Sequence, residues 1–253
     1  MRMTGERVVT AAGGHNPTWQ RHVAAYRLIA DMLPAGRVLD LGCGVGHSYR
    51  LLDRDTIGID LDIVALTGQA RPTARADMRR IPLRDGAVAS LVSVQSVEHV
   101  PDPHRVLLEA ARVIHRDGSA VFVTPNRLTL GRPDEIIDPW HYVEFDAAEL
   151  SALARSAFGT VEIYGLRGSQ RYLDVRGREL ASLERVLAID RWRLRRLAPR
   201  RFRQWAYSFS MRRMRGSEDP LAAAITEHDF TLDREGLDSC LDLVACCRGP
   251  LRP

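Results

Sequence analysis

A short apolar run in the string "VLDLGCGVGHS" is followed at once by three glycines at alternate positions, Gly42, Gly44 and Gly46. A run of this length suits a strand buried on both faces, while glycine lets a backbone take positive φ, or lets another group come close where a Cβ would intrude. The string therefore reads as a strand that turns through glycines beneath a ligand, with a tight ligand-free turn as the competing reading. Two nucleotide loops do not fit. A dinucleotide G-x-G-x-x-G turn needs its third glycine at position 47, where His47 stands, and a phosphate loop needs G-K-[ST] in a chain that has no lysine.

The rest of the chain supplies the frame. Apolar residues from Trp19 to Leu33 recur at helical spacing and predict a leading helix, stopped by Pro34-Ala35-Gly36. After the glycines a helix is expected over Ser48 to Leu52, then a second strand in "TIGIDLD", a third in "PTARADM" and a fourth in "AVASLVSVQ". Asp102-Pro103 places an acid at a helix cap and proline in its first turn, and Asp117-Gly118 is read as the end of that helix before the strand "SAVFVTPN". Asp146 and Glu149 have the spacing of a capping box, "TVEIYGL" reads as a sixth strand, and "LDLVACCR" as the last. Strands alternating with helices predict an α/β, Rossmann-like, doubly wound sheet of seven mostly parallel strands with helices on both faces. Between the sixth and last strands the strand signal vanishes, and a helical, arginine-rich insertion is expected. The division that follows is an N-terminal helical segment over the ligand site (1–36), a core (37–167), a basic insertion or cap (168–222) and a return to the sheet (223–253).

Composition narrows the class. The chain of 253 residues is long enough for a sizeable core. No stretch has the apolar length of a membrane span and the N-terminus lacks the apolar segment of a signal peptide, so a cytoplasmic protein is expected. Cys43, Cys240, Cys246 and Cys247 show no metal-ligand spacing; they read as buried thiols, and no structural metal is expected. An acidic loop at Asp134, Glu135 and Asp138 leaves magnesium open. All 36 basic residues are arginine, and the net charge of +4 is local, since Arg167 to Arg215 carries the excess and the remainder is acidic on balance.

Ligands of such sheets lie beyond the carboxyl ends of the strands, where Asp40, Asp60, Asp77 and Gln95 fall. A carboxylate at Asp60 can accept from both hydroxyls of a ribose. Asp77 can take an exocyclic amine, and Met78 can cover a purine face. Together they describe an adenosine that bears something other than a pyrophosphate. In these segments ("VLDLGCGVG", "TIGIDLD", "ADMRRIPLRDGAVASLVSVQSVEHVPDP", "EAARVIHRDGSAVFVTPNR") the chain resembles the class I S-adenosylmethionine-dependent methyltransferases. The resemblance implies S-adenosyl-L-methionine as cofactor. Asp40 and the backbone of Gly42, Cys43, Gly44 and Gly46 would hold its methionyl part, Asp60 the ribose, Asp77 and Met78 the adenine, and Gln95 would face the reactive end; Leu61 is a further cofactor-binding candidate.

The flanks "TGERVV", "RHVAAY", "TPNRLTLGRPDEIIDPWHYVEF" and "DSCLDLVACC" look like actinobacterial methyltransferases of sugars and polysaccharides, which implies O-methylation of a small-molecule or glycan acceptor. A hydroxyl acceptor must lose its proton, a task suited to histidine. His141 in "DPWHYVEF", flanked by Trp140, Tyr142 and Glu144, is the candidate base, ahead of His99 in "VEHV"; His15, His22 and His47 are further imidazoles that can approach the site. Two rival readings stand beside this one. Arginines interleaved with Trp192, Trp205 and Tyr207 suit an RNA methyltransferase that grips phosphates, although "QSVE" replaces the tetrad expected of exocyclic amino-group methylases. A binding protein without the reaction is the other.

Overall fold

The computed structural model describes residues 17–46, 49–130, 132, 134–189, 199, 201, 203–204 and 220–251. The arginine-rich heart of the expected insertion, with Trp192, Trp205 and Tyr207, lies outside them, as do His15, His47 and "TGERVV".

A single sheet organises the chain. Its strands are β1 (Val38–Leu41), β2 (Thr56–Asp60), β3 (Thr73–Arg75), β4 (Val88–Val94), β5 (Ile114–Pro125), β6 (Phe158–Gly168), β7 (Phe230–Asp233) and β8 (Asp242–Pro250), arranged in the order β3-β2-β1-β4-β5-β8-β6-β7. β1 to β5 are parallel to their neighbours, whereas β8 runs antiparallel between β5 and β6, and β7 pairs antiparallel with β6. Among the described residues the sheet thus has eight strands rather than the expected seven. The additional one, "FTLD", is a four-residue edge strand with only Phe230 buried, so its alternation is too short to stand out in the sequence.

Period-two alternation divides the core. Leu39, Leu91, Phe122 and Ala245 face one layer with Val106, Leu107 and Ala110 of α3 (Pro103–Val113) and Leu150 and Ala154 of α5 (Ala147–Arg155). Val38, Val92, Val121 and Val244 face the other, with Ala25, Tyr26 and Ile29 of α1 (Pro17–Ala30) and Tyr172 and Val175 of α6 (Gln170–Ile189). Helices therefore cover both faces, and α6 begins as part of the core. The adjacent Cys246 and Cys247 are split by the same alternation, one per face, and all four thiols are buried and raised in pKa by burial.

Local signals work where they are dense. Asp102 caps α3 by accepting from Arg105 N at 3.1 Å, with Pro103 in the first turn, and the Asp146/Glu149 capping box closes in both directions at 2.9 Å. Two boundaries differ from the sequence reading. α3 ends at Val113, because Ile114 is already extended and pairs with Val88; Asp117-Gly118 sits instead in the irregular start of β5, where the register shifts. After the glycines the described chain forms only a 3-10 turn, Tyr49–Leu52. Among the described residues no helix is long and apolar enough to cross a membrane.

Candidate functional site

Past β1 the chain takes positive φ at Gly42 (77°), Gly44 (52°) and Gly46 (67°). Their surroundings differ. A Cβ on Gly42 would strike the Ser96 side chain and one on Gly46 the Gln69 amide, so these glycines make room for the chain itself. A Cβ on Gly44 would meet nothing within 4 Å. That open space belongs to a cavity of about 360 Å³ over the carboxyl ends of β1, β2, β3 and β4. Of the residues singled out in the sequence, Gly42, Cys43, Gly44, Asp60, Leu61, Asp77, Met78 and Gln95 line it; Asp40, Gly46 and His141 are not in its wall.

The three strand-end carboxylates have different partners. Asp60 Oδ2 accepts from Gly44 N and Oδ1 from Asp62 N, both at 2.8 Å, so this side chain sets the glycine turn while bordering the cavity. Asp77 is clasped by Arg79, whose Nη2 donates at 2.6 Å and whose hydrogen bonding holds the carboxyl below its ordinary pKa. Asp40 is 1% exposed and turned away, accepting from Tyr26 OH at 2.8 Å and from Arg71 Nη2 at 2.7 Å. It supports Tyr26, which does line the cavity.

Beyond β4 the wall turns polar. Gln95 adopts φ 48°, the bend that carries the chain from the strand into the 3-10 turn Val97–His99. Gln95 Nε2 donates to Asp242 Oδ1 at 2.9 Å, and that fully buried carboxylate is held from the other side by Arg21, whose Nε donates to Oδ2 at 2.7 Å. Ser96 Oγ donates back to Gly42 O at 3.2 Å, so the first and fourth strand ends brace each other.

The loop after β5 closes this end. Tyr142 N donates to Glu98 O at 2.8 Å, and the His99 ring Nδ1 faces Trp140 O at 3.2 Å, which leaves His99 and Tyr142 in the cavity wall. His141 stands behind His99, with ring centroids 5.0 Å apart and its Nδ1 2.8 Å from Glu144 Oε1. Burial pulls the His141 pKa down, but the Glu144 hydrogen bond and the carboxylates of Asp138 and Glu98 outweigh it and raise it above the ordinary imidazole value. His22, on α1, lines the cavity; burial lowers its pKa to about 4, against the hydrogen bond to Thr18 O, so its ring is neutral at pH 7.

Sequence reasoning missed Tyr26, Ser96 and Arg79 in the wall, and Arg21, Arg71 and Asp242 behind it. Arg79, two residues past Asp77, carries a local signal, because an Asp-x-Arg pair after a strand can close on itself. The others meet their partners only through the fold.

Residues 39–122 match a family described as "Methyltransferase domain". A probable S-adenosylmethionine-dependent methyltransferase of Mycobacterium tuberculosis is 31% identical over an alignment that covers 99% of this chain and 90% of the relative. The chain belongs to the S-adenosylmethionine-dependent methyltransferases. The tocopherol O-methyltransferase of Arabidopsis thaliana is 31% identical over 41% of this methyltransferase and 34% of its own length. In fold, the methyltransferase is similar to the crystal structure of a SAM-dependent methyltransferase, possible histamine N-methyltransferase, from Thermotoga maritima, with a TM-score of 0.62 at 14% identity and 92% and 91% of the two chains covered. Its cofactor is S-adenosyl-L-methionine. The residues present fit that group: the backbone at Gly44 offers a cradle that a side chain would fill, two carboxylates suit a nucleoside, and the one arginine among the lining residues, Arg79, is paired to Asp77 and so does not offer a pyrophosphate site.

Proposed function

We propose that this methyltransferase acts on a hydroxyl of a sugar, glycan or similarly hydroxylated metabolite. The observation that supports this most is the wall beyond β4, where Gln95, Ser96, His99 and Tyr142 offer hydrogen-bonding groups and no carboxylate. Such a wall suits neutral, polyhydroxylated molecules better than a cationic amine, which would be matched by an acid. The similarity of the core to an O-methyltransferase, the tocopherol enzyme above, is consistent with this reading.

S-adenosyl-L-methionine supplies an electrophilic methyl carbon. In this reading Asp60 accepts from the ribose hydroxyls, Asp77 and Met78 with Leu61 hold the base, the backbone of Gly42, Cys43 and Gly44 seats the methionyl part, and Gln95 borders the reactive end. Asp40 and Gly46 act indirectly, through Tyr26 and the turn. The acceptor oxygen would form the new O–C bond as the C–S bond breaks, the electron pair staying on sulfur and the hydroxyl proton passing to Nε2 of His99. His99 is the imidazole that meets the acceptor, and His141 positions it from behind. α1 forms part of the cover over the cofactor through His22 and Tyr26, which supports treating 1–36 as a covering segment over a core of 37–167; the start of α6 packs into that core, so any cap begins later than residue 168.

The test is to incubate the protein with methyl-labelled cofactor and a panel of mono- and oligosaccharides and to analyse products by mass spectrometry. A labelled O-methyl ether is expected, with acceptor affinity that barely changes between low and physiological salt. Label on RNA, with affinity falling by orders of magnitude over that salt range, would replace this reading with the nucleic-acid one.

A further inference from the structure

We infer that Glu98, His99 and His141 form a binding site for one divalent transition-metal ion of the zinc, cobalt or iron class, at the acceptor end of the cofactor cavity. A carboxylate oxygen of Glu98 and one ring nitrogen of each histidine lie within 4.8 Å of one another. The two histidines come from different segments: His99 ends the 3-10 turn after β4, and His141 sits in the loop after β5 that is tied down by Tyr142 N donating to Glu98 O.

Three details separate this cluster from a chance meeting of polar groups. The Nδ1 of His99 faces a backbone carbonyl, Trp140 O at 3.2 Å, and the Nδ1 of His141 faces a carboxylate, Glu144 Oε1 at 2.8 Å. Each contact calls for a proton on Nδ1 and directs the lone pair of a neutral ring to Nε2. Histidine ligands of metals are oriented by this pair of partners, a backbone carbonyl and a carboxylate. Independently, Glu98 is 1% exposed and only its Oε2 is engaged, by Thr124 Oγ1 at 3.2 Å; Oε1 is buried with no hydrogen-bond partner among the described residues. A buried carboxylate oxygen left unsatisfied costs free energy that a cation would recover.

The donor set decides the class of ion. Two imidazoles and one carboxylate favour zinc or iron-type ions over calcium or magnesium, which take oxygen ligands, and three protein ligands leave positions open. His99 is in the cavity wall, so the open side faces the place where an acceptor hydroxyl would lie. This use of the ion rests on the function proposed above. With the ion bound, the acceptor hydroxyl meets the ion in place of the His99 ring itself; held there it becomes more acidic, loses its proton to water, and carries the resulting lone pair into the bond with the methyl carbon.

The test uses the untagged full chain, stripped with chelator and titrated with Co²⁺ and Zn²⁺. One ion per chain is expected by mass spectrometry of metal content, with visible Co²⁺ absorption bands and a melting temperature that rises on addition of Zn²⁺. Glu98→Gln and His141→Ala should each weaken Zn²⁺ binding at least about tenfold. Their affinity for S-adenosylhomocysteine should change by less than about twofold. Absence of saturable Co²⁺ and Zn²⁺ binding to the wild type, or unchanged binding in both variants, would overturn the site. Should a variant fail to fold, His99→Ala takes its place in the titration, and unchanged Zn²⁺ binding in it overturns the site. Neither readout involves methyl transfer, so failure of the metal site leaves the proposed function standing. A metal-loaded protein that methylates no hydroxyl would fault the function alone.

Discussion

Gly42 and Gly44 share a left-handed backbone yet do different things, and substitution separates them. In Gly44→Ala the added methyl enters the cavity, so the fold should lose only about 1–2 kcal/mol for the left-handed strain while S-adenosylhomocysteine affinity falls at least tenfold. In Gly42→Ala the methyl meets Ser96, and the loss of stability in a denaturant titration should exceed that of Gly44→Ala. Undiminished ligand affinity in Gly44→Ala would move the methionyl seat elsewhere. Asp60→Ala removes a carboxylate that accepts from Gly44 N and Asp62 N and borders the cavity; calorimetry should show affinity for S-adenosylhomocysteine reduced by roughly ten- to a hundredfold, the range set by one or two charge-assisted hydrogen bonds. At this scale the sequence shows what lies at strand ends, because position relative to a strand is local information. Asp40 misleads for the same reason. Its distance from the glycines is right, but it is claimed by Tyr26 and by Arg71, 31 residues further on, and no spacing rule carries that contact. His141 is placed near the site by its loop, and only the packing of that loop sets it behind His99.

Among elements, the junction of α6 with the segment before β7 shows how one carboxylate organises two pieces of chain. Asp229 accepts from Ser169 Oγ and Arg171 Nη2 at 2.7 Å and from Thr226 N at 2.9 Å, while its own carbonyl accepts from Ser169 N. Ser169 Oγ in turn accepts from Tyr172 N at 3.3 Å, in the first turn of α6. Burial alone would raise the Asp229 pKa, but the Ser169, Thr226 and Arg171 contacts prevail and lower it from 3.8 to about 2. A depressed carboxyl stabilises the fold above its unfolded value and loses that contribution as pH falls through its folded one. Asp229→Asn should therefore cost on the order of 2 kcal/mol at pH 7. The gap to wild type should close between about pH 4 and pH 2 in urea titrations across that range; a gap independent of pH would mean the contacts serve a neutral amide as well. None of these partners is announced by pattern. Caps within one helix, such as Asp102 and Asp146, are legible because donor and acceptor sit three residues apart. β7 and the start of β5 are not, since short or bulged strands acquire their identity from the strand beside them.

Across the whole molecule, the half of the sheet built from β1 to β5 is readable in order, because each parallel strand returns through a local crossover. The other half depends on β8 entering between β5 and β6, a long-range pairing with no signature in the strand itself. That insertion puts Asp242 where Arg21 of α1 can reach it, 221 residues away, and both are buried. The pair joins α1 to β8 and tethers Gln95 in the cavity wall, so stability and site geometry are coupled through one carboxylate. Asp242→Asn leaves the Arg21 guanidinium buried without its counter-ion, and unfolding should become easier by roughly 3–5 kcal/mol, a fall in melting temperature of about 10 °C for a chain of this length. Affinity for S-adenosylhomocysteine should fall with it, because the residue that orients Gln95 is altered. The double variant Arg21→Met with Asp242→Leu removes both charges and should recover most of the stability, since a buried ion pair costs nearly as much to desolvate as it returns. It should not recover the ligand affinity, as leucine cannot accept from Gln95. Recovery of both together would show that Gln95 needs no tether, and that the two ends of the chain meet beside the cavity for the sake of folding alone.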